Sequence, residues 1–520
     1  MSHARDRLRE ALAAEAEGRL ADAFVLCSGV LGEPGLQADG FNLFGRLYWA
    51  LGDAANAIAS QRYVLTLVPE HARAANDLIV ALGAVDPAFD AQSAYRAAIA
   101  PYPDVACHHR DPESLLPFAG MAGIDERLHA VLARDPSFAP AHAAVGNIRA
   151  RERRRADAFE AYRIATMLAW EWPDVHLAMA GFFDSLLDDA NAERHRDEAL
   201  TRQRVYPAVV FENALRVLVP TAPGDATANA PLDYCIDHER VALHRYYLAG
   251  DEPPAALPAH DLVFNAIEDG ERSADAIARC CAFVAARSRP VINEPRNLIR
   301  VRRSMLPQTL AGIAGCIVPP AERVDRAVLG LATDAGIGRI AFPLLIRPVD
   351  THRGDWQERL ESNAHLRAYF ERAPGDAFNV SSFVDYRSSD GYYRKYRVIV
   401  VDGRPFAYHL AISDTWKVHY HSGLMAESAW AREEEERFLQ RPESVFRSWE
   451  SAFGEIAAAV GLDYFGVDCS LDRDGDLLVF ECGPGMLVQC RDEAPFAYKH
   501  AYVPKIFAAL EALLYLRVKT

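Results

Sequence analysis

The chain has 520 residues, half of them hydrophobic and a quarter charged, a globular composition that excludes wholesale disorder. At roughly 100–200 residues per domain, this length predicts about three domains. Its 56 Lys and Arg against 72 Asp and Glu leave a net charge of −16, which argues against general nucleic-acid binding, since phosphate contacts draw on basic side chains. No apolar run approaches the ~18 residues of a membrane span, so no membrane partner is expected. The opening MSHARDRLREALAAEAEGRL lacks the apolar core of a signal peptide. Nine cysteines without a C-x-x-C spacing suit a reducing, cytoplasmic setting better than structural zinc.

In chain order, the first two-fifths is a helical array. Ala23, Ala57 and Ala91 recur every 34 residues, and Ala158 follows about two periods later. Gly45 and Gly146 occupy the small-residue slot of a first helix, Tyr95 and Tyr162 each follow a repeat alanine by four, and Pro69 and Pro103 end units. Small residues let paired helices approach closely, and proline stops the second helix. The pattern resembles the tetratricopeptide repeat, with four or five degenerate units over about residues 5–205. The unit from Pro103 to Pro136 fits poorly in its first helix. The resemblance implies a concave groove for a peptide or protein partner; a purely structural or dimerising array is the alternative. The run 151–155 (RERRR) reads as a solvated helix start rather than an anion patch.

Beyond about Pro207, short β-branched and aromatic runs separated by turns replace helical periodicity. The segment 219–235, rich in Pro, Gly, Thr and Ala, reads as a junction. Strand-like 260–267 and 289–295 alternate with helices near 274–287 and 303–312, predicting a small parallel α/β domain over 208–322. A second domain, 323–520, opens with strand 339–349 and a glycine-bearing loop, THRGDW (351–356). Strands then dominate 376–413, with Asp-Gly turns at 390–391 and 402–403. In RKYRVIVVDG, Tyr396, Val398 and Val400 share one face, and Arg397, Ile399 and Val401 the other. A helix over 443–460, two strands joined by an Asp-rich turn over 463–486, and a closing helix complete the chain. In that turn, DRDGD lacks the Glu of a calcium loop and fits a hairpin.

This order resembles the ATP-grasp superfamily, most closely its glutathione synthetase and ribosomal-protein glutamate ligase branch, over about 208–515. The fold class expected is therefore multidomain: an all-α, tetratricopeptide-like N-terminal domain followed by an α+β/α/β ATP-grasp module. The resemblance implies a cofactor-binding set of Arg347 at a strand end, Gly354 in the loop over the phosphates, and a hinge of Ser382, Phe383, Val384 and Asp385. Arg397, with Lys395 and Arg394 beside it, would be the catalytic cations near the γ-phosphate. Asp468 and Glu481 would hold Mg2+, oxygen ligands suiting that hard cation. Where the family carries Asn, two residues past the glutamate, this chain has Gly483. One ligand of a second metal is thus missing or supplied from elsewhere.

The implied activity is ATP-dependent formation of an amide from a carboxylate and an amine through an acyl phosphate, releasing ADP and phosphate. The carboxylate or the amine would belong to a peptide, an amino acid or a carrier-borne substrate presented by the repeats. Two alternatives stay open: a binding or regulatory protein with a degenerate site, which Gly483 favours, and an ATP-dependent small-molecule kinase. His409, Trp416, Lys417, His419, Tyr420 and His421 are expected to wall the acceptor side, and Cys482 to pack rather than react. The sequence names neither the acid nor the amine, and leaves monomer and homodimer open.

Overall fold

The computed structural model describes residues 2–16, 18–31, 33, 35–67, 74, 77–78, 81, 139–208, 210–211, 213–225, 227–250, 254, 256–268, 273–327, 333–349, 356–418, 420, 423–446 and 448–519. Two compact units result. One comprises Met1–Arg202 with Ala208–Glu212, the other Gln203–Pro207 with Asn213–Thr520. Ala91, Tyr95, Pro69, Pro103, Pro136, Gly354, His419 and His421 lie outside the described residues.

The first unit is helical where described. Its helices are Ser2–Ala16, Leu20–Ser28, Gln37–Ala50, Ala54–Leu67, Ala139–Arg151, Arg155–Leu168, Pro173–Ser185 and Asp189–Arg202, and consecutive helices pack in pairs. The small residues explain the close pairing. A Cβ on Gly146 would stand 2.6 Å from the Tyr162 ring, and one on Gly45 would collide with the Gln61 side chain. Ala23, Ala57 and Ala158 are buried, as is Tyr162, whose hydroxyl donates to Asn147 Oδ1 at 2.6 Å. At the start of helix 155–168, Arg154 is exposed and pairs with its near neighbours Glu152 and Asp157.

The second unit contains three sheets and a two-strand hairpin. The first sheet uses β1 (Val205–Tyr206), β2 (Leu215–Thr221), β3 (Val241–Tyr247), β4 (Leu262–Phe264) and β5 (Val291–Ile292), in the order β1–β3–β2–β4–β5. Strands β2 to β5 run parallel and β1 is antiparallel. The parallel sheet matches the alternating pattern, but β2 and β3 lie in stretches where the sequence predicts no strands. Both are buried on nearly every residue, so neither shows the period-two alternation that marks a half-exposed strand. The helix expected over 303–312 is a single turn, Leu306–Thr309, and that expected over 443–460 starts at Trp449, after a 3-10 turn at Pro442–Ser444.

Next come β6 (Cys316–Ile317), β7 (Ala321–Asp325), the hairpin of β8 (Gly336–Ile337) and β9 (Ile340–Ala341), β10 (Leu344–Pro348), β11 (Glu358–Leu360) and β12 (Ala377–Ser382). Strands β11–β10–β12–β7 form an antiparallel sheet. The run expected as one strand over 339–349 is thus divided, with Pro343, which has no N–H to donate, between the pieces. The last sheet, β14–β13–β15–β16–β6, is built on β13 (Tyr393–Val401), β14 (Arg404–Ser413), β15 (Tyr464–Leu471) and β16 (Leu477–Gly483). One core joins this sheet to the first: Val217, Val219 and Phe264 cluster with Ile399, Val401 and Tyr464 and with Ile506, Leu510 and Leu514 of the closing helix Pro504–Lys519. Buried Asn293 ties the same two sheets, donating to Tyr464 O at 2.8 Å and accepting from the Asp463 and Tyr464 amides at 2.9 Å. Among the described residues no helix is long and apolar enough to cross a membrane.

Within the helical unit, a directed chain crosses buried His176 and His195. His176 Nε2–H donates to Trp170 O at 2.7 Å, so its Nδ1 accepts from His195 Nδ1–H at 2.9 Å, and His195 Nε2 faces Arg194 Nη2 at 3.5 Å. Because a carbonyl can only accept and a guanidinium only donate, the ends fix both tautomers. A proton added to either ring would oppose two N–H groups. Burial lowers both imidazoles from 6.5, His195 to about 4, against the pull of Glu198. The folded unit therefore binds fewer protons than the unfolded chain between these values, and its stability, complete above pH 6.5, falls as pH drops towards 4. Hydrogen exchange of helices Pro173–Ser185 and Asp189–Arg202, corrected for the intrinsic rate, should show a loss of roughly 2 kcal/mol of protection at pH 5 relative to pH 7. Protection unchanged over that range would refute the neutral pair.

Candidate active site

A single cross-strand row organises the site. His409 on β14 lies opposite Arg397 on β13, Arg397 opposite Asp468 on β15, and Asp468 opposite Glu481 on β16. All four line one cavity of about 630 Å³. Strand alternation brings Lys395 to the Arg397 face, and it too lines the cavity. The same alternation turns Arg394 away: it pairs with Glu434 at 2.5 Å and Asp390 at 2.7 Å, and the cavity lining does not include it. Two bulges enrich the row. The β13–β14 register shifts after Arg397 and the β15–β16 register after Asp468, so consecutive residues, Tyr408 with His409 and Phe480 with Glu481, both reach the cavity. Bulges re-aim side chains in this way beside functional sites.

Asp468 is 1% exposed. Arg397 holds it with two hydrogen bonds of 2.7 and 3.0 Å, and Lys395 approaches to 3.2 Å. Burial opposes its ionisation, but the charges of Arg397 and Lys395 outweigh it and hold the carboxyl far below the usual range. Burial likewise pushes Glu481 up; Arg303, whose Nη2 is 2.6 Å from the carboxylate, brings it below its ordinary value. His409 is pushed well below 6.5 by burial and then by Arg397 and Lys499, so it is neutral. Its Nδ1 has no hydrogen-bond partner among the described residues.

The opposite wall comes from the β10–β12 sheet. Arg347 on β10 faces Asn379 on β12, both buried, and Asn379 Oδ1 has no partner among the described residues. Ser382 ends β12, and Ser382, Phe383 and Val384 continue the wall. Phe383 meets Trp416 edge-on, with centroids 5.9 Å apart, and Arg359 lies 4.0 Å above its ring. Leu345, Val380 and Val418 complete a slot with apolar walls and backbone edges. Asp385 lies outside the cavity lining and pairs with Arg473 at 2.8 Å.

Tertiary structure also brings in residues that the sequence does not single out. Arg303 and Glu268, from the first α/β part, line the cavity beside Glu481. At the other end stands Lys499, 1% exposed, 3.4 Å from Asp492 and 4.5 Å from the Tyr420 ring centre. Tyr420 in turn donates to buried Glu435 at 3.0 Å. Trp416, Lys417 and Tyr420 line the cavity as well. No motif around Arg303, Glu268 or Lys499 signals a site. Cys482 is buried, and its thiol is pushed well above its usual value by that burial.

No family model and no curated protein matches this chain. Solved structures resemble part of its fold. A RimK-domain ATP-grasp protein from Sphaerobacter thermophilus DSM 20745 is 14% identical, with a TM-score of 0.35 over 58% of this chain and 99% of that one. The VanG D-Ala:D-Ser ligase from Enterococcus faecalis is 13% identical, with a TM-score of 0.36 over 58% and 99%. The D-alanine–D-alanine ligase from Coxiella burnetii is 10% identical, with a TM-score of 0.36 over 59% and 95%.

Removing one partner of a buried ion pair leaves an uncompensated charge. Arg397→Met should therefore lower unfolding stability by roughly 3 kcal/mol, and adding Asp468→Leu should recover part of that loss. Equal urea-unfolding losses in the single and double variants would show that the charge pair is not the source.

Proposed function

We propose that this chain is an ATP-dependent carboxylate–amine ligase that works through an acyl phosphate. The row His409–Arg397–Asp468–Glu481, in a cavity whose far wall is the hinge slot, carries the reading. Two carboxylates and two cations stand beside an apolar slot that suits a purine. Adenine would lie between the Ser382–Val384 backbone and Trp416, with the triphosphate running towards Arg347, Lys395 and Arg397.

The donor set fits Mg2+. Two carboxylates stand opposite each other on paired strands, and each already holds a cationic side chain, Arg397 and Lys395 on Asp468 and Arg303 on Glu481. Among the described residues no three His, Cys, Asp or Glu side chains are grouped to hold a metal alone. Mg2+ is commonly bound by one or two carboxylates plus substrate phosphates, and Asp468 and Glu481 supply such a pair. When bound there, Mg2+ would neutralise charge on the transferring phosphoryl group.

A substrate carboxylate must approach a polyanion. Arg397 and Lys395 reduce that repulsion and stay in place through the transfer, so no reorganisation is needed in the transition state. A carboxylate oxygen forms a bond to the γ-phosphorus as the bond to the β–γ bridging oxygen breaks, and ADP leaves. Amine nitrogen then attacks the acyl carbon, the C–O bond to phosphate breaks, and the proton lost from nitrogen departs with phosphate or solvent. Exclusion of water during the reaction would protect the acyl phosphate from hydrolysis. Neutral His409, whose Nδ1 has no hydrogen-bond partner among the described residues, can hydrogen-bond a reacting group. The helical unit would present a peptide or carrier-borne substrate.

Calorimetry should show Mg2+-dependent ATP binding, weakened at least tenfold by Asp468→Ala or Glu481→Ala. Binding unchanged in both variants would remove the metal assignment. Amine-dependent release of inorganic phosphate would separate a ligase from a kinase, which releases none.

A further inference from the structure

Strand alternation places residue 483 on the same face of β16 as Glu481, about 7 Å further along. That position has no side chain, and another residue fills the space. Glu268, four residues past β4, sets its Oε1 2.5 Å and its Oε2 2.9 Å from where a Cβ on Gly483 would stand. This is close to the separation between Cβ and the terminal oxygen within an asparagine or aspartate side chain. Glu268 thus brings a carboxylate oxygen as near to position 483 as a short oxygen-bearing side chain there would hold its own. The carboxylate is anchored there: the Gly485 amide donates to Glu268 Oε2, and a Cβ on Gly485 would meet Glu268 Cγ at 2.5 Å. A side chain at 483 would displace the Glu268 carboxylate, and one at 485 would press on its stem. Glu268, Glu481 and Asp468 line the same cavity.

We infer that Glu268 is a metal-binding residue of the site, bracketing with Glu481 a second divalent cation on the nucleotide, while Asp468 and Glu481 bracket the first. This rests on the proposed nucleotide site in the same cavity. Each of two cations sharing a central carboxylate would have two side chains and take its other oxygens from phosphate and water. The glycine at 483 is then a displaced ligand position and not a loss, because the oxygen arrives from another strand connection of the same unit.

The test uses the full chain, Mn2+ as probe and AMPPNP as nucleotide, with bound Mn2+ counted by electron paramagnetic resonance and folding checked by circular dichroism. Wild type should bind two Mn2+ per nucleotide complex. Glu268→Gln, which keeps an acceptor for the Gly485 amide, should weaken the second by about tenfold or more and spare the first. Glu268→Ala/Gly483→Asn should recover the second ion although the bond to Gly485 is gone. A single Mn2+ in wild type, unchanged binding in Glu268→Gln, or no recovery in the folded double variant would overturn the role of Glu268. These outcomes leave the nucleotide site standing if Glu481→Gln still abolishes Mn2+–AMPPNP binding. Wild type that binds no Mn2+–AMPPNP, or a Glu481→Gln variant that binds it normally, would overturn the nucleotide reading and this inference with it.

Discussion

The site depends on one buried ion pair. Asp468 is almost wholly shielded from water, and a lone carboxylate there would cost several kcal/mol. The bidentate contact from Arg397 makes its ionised form tenable. Both residues sit directly opposite each other on neighbouring strands, so the sheet's hydrogen-bond register sets their approach. The geometry that holds the charges is the backbone ladder, which is stiffer than any surface loop. His409 and Glu481 extend the row by the same register. A site built on adjacent strands keeps its groups in place before a substrate arrives, and that is what electrostatic stabilisation of a transferring group needs.

The lining of the cavity around this row combines apolar Leu345, Val380 and Phe383, the cations Arg347, Lys395 and Arg397, and the paired Lys499 and Asp492. The carboxylates are matched by cations, Arg397 and Lys395 on Asp468 and Arg303 on Glu481. Glu268 extends that logic across the unit, because a residue after β4 reaches into a gap left by glycine on β16. The helical unit is a separate body with its own small cores. Its polar chain through His176 and His195 shows that it, too, buries groups whose protonation state matters.

Some of this was legible in the residues themselves. The 34-residue recurrence of small residues marks paired helices because small side chains let helices approach closely, and at Gly146 even a Cβ would collide with the Tyr162 ring. The alternation in β13 already separates Arg397 from Tyr396, and applied strictly it also separates Arg397 from Arg394. Grouping Arg394 with the catalytic cations overlooks that parity; its partners Glu434 and Asp390 lie on the other side. The Asp-rich turn and the runs either side of it foretell the β15–β16 hairpin, and with it the nearness of Asp468 and Glu481.

Sequence alone determined the features set by local period and turn chemistry: a helical first part, an α/β and β-rich second part, the strand face on which Arg397 stands, and the paired strands that carry Asp468 and Glu481. Only the tertiary structure decided the features that arise where distant segments meet. Buried strands β2 and β3 show no alternation because both faces are covered. The register bulges, which add Phe480 and Tyr408 to the cavity wall, depend on pairing between strands rather than on either strand. Arg303, Glu268 and Lys499 enter the site from segments far away in the chain, and no spacing in one sequence encodes an approach made across three sheets.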